Sequence, residues 1–321
     1  DGRSARDDRR MESTVTPLGG GVYEIDTRMA GYPGITAGYL ILSDRPCLVE
    51  PGTAGSAPVV RRALDELGVG AADLATVVVT HIHLDHAGGV GDIAEMYPEA
   101  QVVVHEKGAR HLASPERLMR SARMVYGDKL DTLFGELKPT EQARIHAVEE
   151  TGVIDLGGGR RLESYYSPGH AKHHVGLLDS QTGDLYVGDA VGVYIPETKD
   201  LRPATPPPDF DLETALGSLR KFRELGPQRL LFAHYGPVAE VDDTLERSAE
   251  ELRIWVDMVK DARDAGLDLD HAVAMVRDRT RERYAFDWDA ADPGQTAKYE
   301  ILEGTESNVQ GIMHALDRQD R

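Results

Sequence analysis

Residues 81–86, which read His-Ile-His-Leu-Asp-His, place three histidines and one aspartate within six positions, directly after the apolar run 77–79. Neutral imidazole and carboxylate groups are good ligands for zinc and similar divalent ions. The apolar run is typical of a buried strand, and Gly88 with Gly89 indicates the turn that follows it. This segment therefore predicts a metal-binding loop at the end of a strand.

Spacing within the loop divides its four polar side chains into two pairs. His81 and His83 are two positions apart, so in extended backbone they project to the same side. Asp85 and His86 come after the strand and can turn toward a second position. One loop thus offers two ligand pairs, which is what a two-metal site needs. The alternative is a solvated loop of four polar residues, which we consider much less consistent with this spacing.

Composition bounds the class of protein. The 321 residues are 40% hydrophobic and 28% charged, as in globular domains generally, and the net charge is −19. A surface this acidic repels phosphate backbones, so we expect no nucleic-acid partner. No stretch approaches the roughly 18 to 20 apolar residues of a membrane span, so we expect no membrane partner. Cys47 is the only cysteine, which excludes an internal disulfide and favours a reducing cytoplasm.

Strand-like and helix-like patterns alternate through the first 240 residues, which predicts a layered α/β fold. We divide the chain into a disordered or cloning-derived tail over 1–15, with Met11 as a candidate start, a catalytic domain over 16–240 and a helical C-terminal extension over 241–321. A helical insertion is expected at about 106–150. The predicted strands include 21–25, 38–42, 76–80, 101–105, 161–166, 175–179, 184–187 and 229–233, and the predicted helices include 58–68, 89–97, 114–126, 128–136 and 211–225.

Three further candidate ligands follow predicted strands. His170 ends the sequence Ser-Pro-Gly-His after the strand 161–166, Asp189 follows a second strand, and His234 follows a third. Loops at strand ends are where rigid folds present chemical groups. These residues are therefore candidates to complete a two-metal site.

The complete set resembles the metallo-β-lactamase-fold hydrolases, which carry His-x-His-x-Asp-His, a Pro-Gly-His, a Gly-Asp and a late histidine in this order. The resemblance covers about residues 20–240. It implies an αββα sandwich with a dinuclear site at one edge, and the helical insertion and C-terminal extension predicted above are additions to this fold. By this resemblance the first metal is held by His81, His83 and His170, the second by Asp85, His86 and His234, and Asp189 bridges both.

The resemblance also implies the chemistry. Two divalent ions, zinc in the first instance with iron or manganese as alternatives, lower the pKa of a shared water and supply a bridging hydroxide. We expect a small-molecule acyl substrate with a carboxylic ester, thioester or lactone bond, as in the glyoxalase II and lactonase-like branch. Asp85 is a candidate proton acceptor. Tyr194, with Tyr235 as the alternative, is a candidate phenolic donor to the developing oxyanion.

Other functions within this resemblance remain open. True β-lactamases of the fold lack the bridging aspartate, so Asp189 argues against antibiotic hydrolysis. Persulfide dioxygenases share the fold but use one iron held by two histidines and an aspartate, and a quorum-signal lactonase is a further alternative. His174, four residues after His170, matches a second histidine common in relatives, and we favour a packing role for it over ligation.

Two expectations concern surfaces. The insertion 106–150 and the proline-rich segment 201–210 are expected to wall the substrate cleft, with the apolar side chains Met119, Met124, Tyr126 and Phe210. The alternative is that they only join helices to the core. The C-terminal helices carry an apolar stripe that includes Trp255 and Met258, from which we expect either a cap over the cleft or a homodimer interface.

Overall fold

A computed structural model describes residues 13–320 of the chain. Residues 1–12 and Arg321 lie outside the described residues, and most of the tail predicted over 1–15 lies there too. The first strand already begins at Val15.

The described strands form two large sheets and one small one. The first sheet contains, in spatial and chain order, β1 (Val15–Gly19), β2 (Val22–Asp26), β3 (Ala37–Ile41), β4 (Cys47–Val49), β5 (Thr76–Val78), β6 (Gln101–His105) and β7 (Ile145–Val148). The other strands are β8 (Thr151–Asp155), β9 (Arg161–Tyr166), β10 (Val175–Asp179), β11 (Asp184–Gly188), β12 (Val193–Ile195), β13 (Asp200–Arg202), β14 (Arg229–Phe232) and β15 (Gly236–Val238). The second sheet has the spatial order β15-β14-β11-β10-β9-β8, and β12 pairs with β13 alone.

Helices lie between the strands and after them. Those of the first part of the chain are α1 (Ala57–Glu66), α2 (Leu84–Ala87), α3 (Val90–Met96), α4 (Glu106–Ala113), α5 (Glu116–Tyr126) and α6 (Lys129–Leu133). They are followed by α7 (Leu212–Glu224), α8 (Val241–Asp264), α9 (Leu269–Thr280), α10 (Pro293–Glu303) and α11 (Thr305–Gln319). Among the described residues, three short 3-10 helices occur at Met29–Gly31, Ala54–Ser56 and Gln142–Arg144.

Alternation of side chains along the strands builds four layers. Tyr39 of the first sheet meets Tyr186 of the second between the sheets, with ring centroids 5.3 Å apart. Leu40, the neighbour of Tyr39, points to the opposite face and packs with α1 and α3. Leu185, the neighbour of Tyr186, likewise packs with α7 and α8. Successive residues of a strand face opposite sides, and the result is the predicted αββα sandwich.

Strand direction brings several carboxyl ends to one edge of the sandwich. In the first sheet β4 and β5 are parallel neighbours. In the second sheet β11 and β14 are parallel. β9 runs in the same direction as β11, because each is antiparallel to β10, which lies between them. Open sheets with parallel strands bind ligands beyond these carboxyl ends.

Local predictions were wrong in two places. Within the interval predicted to be a helical insertion, the α-helices end at Leu133, and Ile145–Val148 form the edge strand β7, paired with β6. The segment 201–210 was expected to be irregular throughout, but Leu201 and Arg202 belong to β13. Both strands are only three or four residues long and each pairs with a single neighbouring strand. Such short strands form because of that neighbour, and no pattern in their own sequence predicts them. Residues 203–210, which contain the prolines, contain neither helix nor strand.

The C-terminal helices α8, α9 and α11 pack on the outer face of the second sheet, whereas the buried residues of α10 pack in the core of the first sheet. Trp255, Met258 and Val259 of α8 are buried in the core cluster that α9 and α11 complete. These apolar side chains are therefore enclosed within the chain itself, and they are not free to form the expected dimer contact. Dimerisation stays a prediction without this support. Within residues 13–320, every helix is too short or too polar to cross a membrane.

The inter-sheet core predicts a contrast between two substitutions on the second sheet. Leu177→Ala removes a side chain that is fully buried between the sheets, and loss of its packing is expected to cost about 2–5 kcal/mol. Val153→Ala, at a position 65% exposed on the edge strand β8, should change stability by less than about 0.5 kcal/mol. Urea unfolding measures both. Equal effects of the two substitutions would contradict the proposed core.

Candidate metal centre

The predicted ligands meet at the edge where the strands end. His81 follows β5, His170 follows β9, Asp189 follows β11 and His234 follows β14. His83 is still extended and caps the short helix α2, whose first turn carries the remaining two members of the set. Extended backbone at His83 and a helical turn directly after it explain how one loop serves two positions.

The first group consists of three imidazoles. The ligand nitrogens of His81, His83 and His170 all lie within 4.8 Å of one another. Nε2 of His170 is 3.1 Å from Nδ1 of His83. Three neutral imidazole nitrogens around one point form a set that suits zinc and related divalent ions.

The second group adds a carboxylate. Ligand atoms of Asp85, His86 and His234 lie within 4.8 Å of one another. Oδ2 of Asp85 is 3.2 Å from Nε2 of His234 and 3.4 Å from Nε2 of His86. This group is chemically distinct from the first because it carries a negative charge.

Asp189 lies between the two groups and turns one oxygen to each. Its Oδ1 is 3.3 Å from Nε2 of His86 and 3.7 Å from Nε2 of His234. Its Oδ2 is 3.5 Å from Nε2 of His170 and 3.9 Å from Nε2 of His81. A carboxylate in this position can contact two ions at once.

Backbone carbonyls orient two of the imidazoles. Nδ1 of His170 donates to the carbonyl oxygen of Ala204 at 2.9 Å, and Nδ1 of His234 donates to that of Ile35 at 2.7 Å. Since a neutral imidazole carries one proton, Nε2 of each ring keeps its lone pair. Such outer hydrogen bonds set the tautomer of metal-binding histidines.

Glu50 is a site residue that the sequence reasoning missed. Its Oε2 accepts a hydrogen bond from Nδ1 of His86 at 2.6 Å, and its Oε1 accepts one from the backbone N–H of Thr80 at 2.5 Å. The sequence did contain a signal for Glu50, because this acidic residue directly follows the apolar strand β4. The same pattern, an acid directly after a strand, identified Asp189 after β11. The φ of Glu50, at 63°, lies in the left-handed region that non-glycine residues rarely adopt, and such strain is often found at functional sites.

The two groups differ in electrostatics. Burial, reinforced by neighbouring imidazoles, lowers the pKa of His81 well below its ordinary value and that of His83 to about 4. Burial also acts on His86 and His234, but the negative charges of Asp189 and Asp85 outweigh it and raise the pKa of both rings. The first group is thus neutral at neutral pH, whereas the second lies in a field that favours a cation.

Buried polar atoms without partners test whether metal ions fit. Among residues 13–320, Nε2 of His81, Nε2 of His86 and Oδ1 of Asp189 are buried and make no hydrogen bond. Leaving such groups unpaired is costly, and all three point into the space shared by the two groups. These lone pairs suit divalent cations as ligands, so the residues present fit a dinuclear site.

His174 lies beside the centre without facing it. Its Nε2 accepts the backbone N–H of Asp189 at 3.2 Å, and its Nδ1 is 2.9 Å from Oγ of Ser167. Both nitrogens are engaged, in line with the packing role favoured above. His173 accepts the N–H of Ile82 through Nδ1 at 3.3 Å.

The predicted tyrosines take different positions. The ring of Tyr194 packs beside Phe232, with centroids 5.7 Å apart, and its backbone N–H donates to the carbonyl of His234 at 2.5 Å. Tyr235 lies against the buried Glu24, and burial raises the pKa of its hydroxyl. Contact of either hydroxyl with a substrate stays a prediction.

A groove of about 490 Å³ lies elsewhere, between the edge strands β7 and β8. None of the predicted ligands lines it. The predicted ligands therefore lie together at the carboxyl ends of the strands and outside that groove.

Comparisons with known proteins agree with this geometry. The family model described as "Metallo-beta-lactamase superfamily" matches residues 31–234, an interval that contains all seven predicted ligands. The metallo-beta-lactamase fold-containing protein ST1585 of Sulfurisphaera tokodaii is 30% identical over 246 residues, covering 74% of this chain and 88% of that protein. The crystal structure of ST1585 from Sulfolobus tokodaii superposes with a TM-score of 0.68 at 26% identity, covering 91% of this chain and 98% of that one.

Two more distant relatives have functional names. A hydroxyacylglutathione hydrolase of Synechococcus is 28% identical over 51% of this chain and 53% of its own length. An atrochrysone carboxyl ACP thioesterase of Aspergillus fumigatus is 27% identical over 52% of this chain and 40% of its own length. This chain thus matches about half of each protein.

The position of Glu50 predicts a metal-binding defect. Glu50→Gln removes the negative charge that holds Nδ1 of His86, and loss of such an outer partner lowers metal affinity about 10- to 100-fold. Competition titration with a chromophoric chelator measures the affinity. Glu95→Gln, a change at an exposed carboxylate, is the control and should bind metal like the wild type. Unchanged affinity in Glu50→Gln would show that this carboxylate does not support the centre.

Proposed function

Because the chain belongs to the metallo-beta-lactamase superfamily, we propose that it is a dinuclear metal-dependent hydrolase of carboxylic esters, thioesters or lactones. The observation that carries this proposal is Asp189, whose two oxygens face two separate groups of ligand atoms. A mononuclear site needs no such bridge. The proposed ligands are His81, His83 and His170 for one ion and Asp85, His86 and His234 for the other.

The site supplies the elements of hydrolysis. When bound, two divalent ions would lower the pKa of a water molecule and stabilise negative charge on a carbonyl oxygen. Hydrolysis adds the oxygen of water to the carbonyl carbon, breaks the C–O or C–S bond and returns a proton to the leaving group. Asp85 is our candidate for the proton transfer, since its side chain is 22% exposed while that of His86 beside it is buried.

An apolar surface supports an acyl substrate. At the end of α5, Met124 is 81% exposed, Val125 73% and Tyr126 41%. Exposed apolar residues in a contiguous patch commonly mark binding surfaces. Of the four side chains expected to line the substrate cleft, Met124 and Tyr126 are therefore exposed and can contact a substrate.

The same helix is attached to the histidine loop. Tyr126 packs edge-to-face on Phe134, with ring centroids 4.9 Å apart. The carbonyl of Phe134 accepts the N–H of Gly55, and in the same loop Gly52 donates to the carbonyl of His86 at 3.1 Å. This short chain of contacts supports our proposal that the apolar end of α5 lies near the proposed centre.

The other two expected wall residues do not have this position. Phe210 is 1% exposed and packs in the core under α7 and α8, so its place in the cleft wall was wrong. Met119 is partly buried against the first core cluster, the apolar core between the first sheet and helices that include α1 and α3. Their apolar character is explained by packing within the chain.

The chemistry of the relatives agrees with this substrate class. The names hydroxyacylglutathione hydrolase and ACP thioesterase describe hydrolysis of acyl compounds. Both proteins share only about half of their length with this chain, so the leaving group and the acyl chain are proposals for this protein.

The proposed function predicts metal content and a substrate profile. Protein purified without added metal should contain about two zinc ions per chain, measured by elemental analysis. It should hydrolyse acyl thioesters, lactones or aryl esters, and rates should rise with acyl-chain length because of the apolar patch on α5. One iron per chain with consumption of oxygen would instead indicate a dioxygenase. Two bound metals without hydrolysis of any of the three substrate classes would contradict the proposed reaction.

A phenol-specific prediction concerns Tyr194. Tyr194→Phe should lower kcat by about 100- to 1000-fold if its hydroxyl donates to the developing oxyanion, with metal content unchanged. Tyr97→Phe is the matched control, because Tyr97 is buried in the first core cluster and its hydroxyl has no partner among the described residues. Wild-type turnover in Tyr194→Phe would eliminate this role.

A further inference from the structure

The proline-rich segment 203–210 has few backbone donors with which to form hydrogen bonds of its own. Prolines at 203, 206, 207 and 208 remove four of its backbone N–H donors. The segment contains no helix or strand, yet Thr205 is fully buried. Its carbonyl and amide groups must therefore find partners in another element.

Asn308 of the C-terminal helix α11 supplies two of these partners. Its Oδ1 accepts the N–H of Thr205 at 2.7 Å, and its Nδ2 donates to the carbonyl of Pro203 at 2.9 Å. The hydroxyl of Thr205 in turn donates to the carbonyl of Asn308 at 3.1 Å. Asn308 is 5% exposed, so these bonds form without competition from bulk water and fix the residues on both sides of Ala204.

Two more residues of α11 hold the same segment. Arg318 donates to the carbonyl of Pro208 at 2.9 Å and to that of Phe210 at 2.5 Å. At Gly311 the helix approaches so closely that a Cβ atom would overlap the carbonyl oxygen of Thr205. The contact is therefore continuous along the helix and depends on a residue without a side chain.

The segment is also bound to the loop that carries His170. The carbonyl of Ala204 accepts Nδ1 of His170 at 2.9 Å. Asp209 accepts the N–H of Lys172 at 3.2 Å, and the N–H of Asp211 donates to the carbonyl of Gly169 at 3.1 Å. The segment thus connects α11 to one ligand of the proposed centre.

We propose that Asn308 is a positioning residue for His170, so that the C-terminal helical extension supports one half of the metal centre. The inference rests on the proposed function, since it requires that His170 bind an ion. Asn308 holds the peptide groups on either side of Ala204, and the carbonyl of Ala204 holds the imidazole with Nε2 toward the ligand set. Without Asn308, the carbonyl of Ala204 is no longer fixed and the ring of His170 is free to turn. Metal binding then has to order the ring, which lowers the affinity.

The test compares the two halves of the centre. His234→Ala disables the carboxylate-containing group, and His83→Ala disables the imidazole group that includes His170. Asn308→Ala is introduced into each background, and zinc affinity is measured by chelator competition. We expect about a tenfold loss of affinity in the His234→Ala background, at the lower end of outer-partner effects, and less than a twofold change in the His83→Ala background.

A purely structural role is distinguished by a core variant of the same helix. Val309→Ala opens a cavity where α11 packs in the apolar core with α8 and α9 and removes none of the hydrogen bonds of the proline segment, so it should lower the thermal unfolding midpoint and leave both zinc affinities unchanged. Equal loss of affinity in both backgrounds for Asn308→Ala, or a similar loss for Val309→Ala, would overturn the inference.

Milder variants keep the test decisive if Asn308→Ala does not fold. Asn308→Asp retains an acceptor for the N–H of Thr205 but loses the donor to Pro203, and Arg318→Gln alters an exposed side chain. Both should weaken zinc binding in the His234→Ala background by a smaller factor. Wild-type affinity in both variants would overturn the inference. A wild-type protein that binds no zinc would instead contradict the proposed function on which it rests.

Discussion

The buried carboxylate of Asp189 is the group on which the arrangement of the site depends. It brings a negative charge into a space lined by four imidazoles, and a charge in that position is stable only when it is compensated. The two oxygens divide the imidazoles into pairs, and each pair belongs to a different ligand group. In the proposed dinuclear centre this one side chain would therefore contact both cations, and the other ligands would complete the coordination around each position.

Hydrogen-bond partners of several kinds hold the imidazoles of the site in position. Carbonyl groups orient His170 and His234, the Glu50 carboxylate orients His86, and the hydroxyl of Thr80 lies 2.9 Å from Nδ1 of His81. These partners come from strand ends, from loops and, through the proline segment, from the C-terminal helix. The imidazole group is neutral and the carboxylate group is negative, so the two halves are expected to differ in affinity for the same ion.

Much of the fold followed from local pattern. Long apolar strands such as β6 and strongly amphipathic helices such as α1 were predicted within a few residues of their observed bounds. β7 and the β12–β13 hairpin were not recognised, because three- and four-residue strands are specified by the strand beside them. Phe210 was assigned to the cleft by residue type, yet its burial depends on how α7 and α8 pack. The position of Glu50 directly after a buried strand was visible in the sequence. Its place in the site follows only once β4 and β5 are known to be parallel neighbours.

By itself the sequence determined which residues can bind metal, since ligand chemistry belongs to the side chain and the spacing from His81 to His86 belongs to the local backbone. Tertiary structure decided how these residues act together. The carboxylate of Asp189 is divided between two groups, Glu50 is bound to a histidine 36 positions away, and Asn308 contacts a segment 103 positions away. Contacts over such separations arise from the parallel strands of the two sheets and from the packing of α11, which no local pattern specifies.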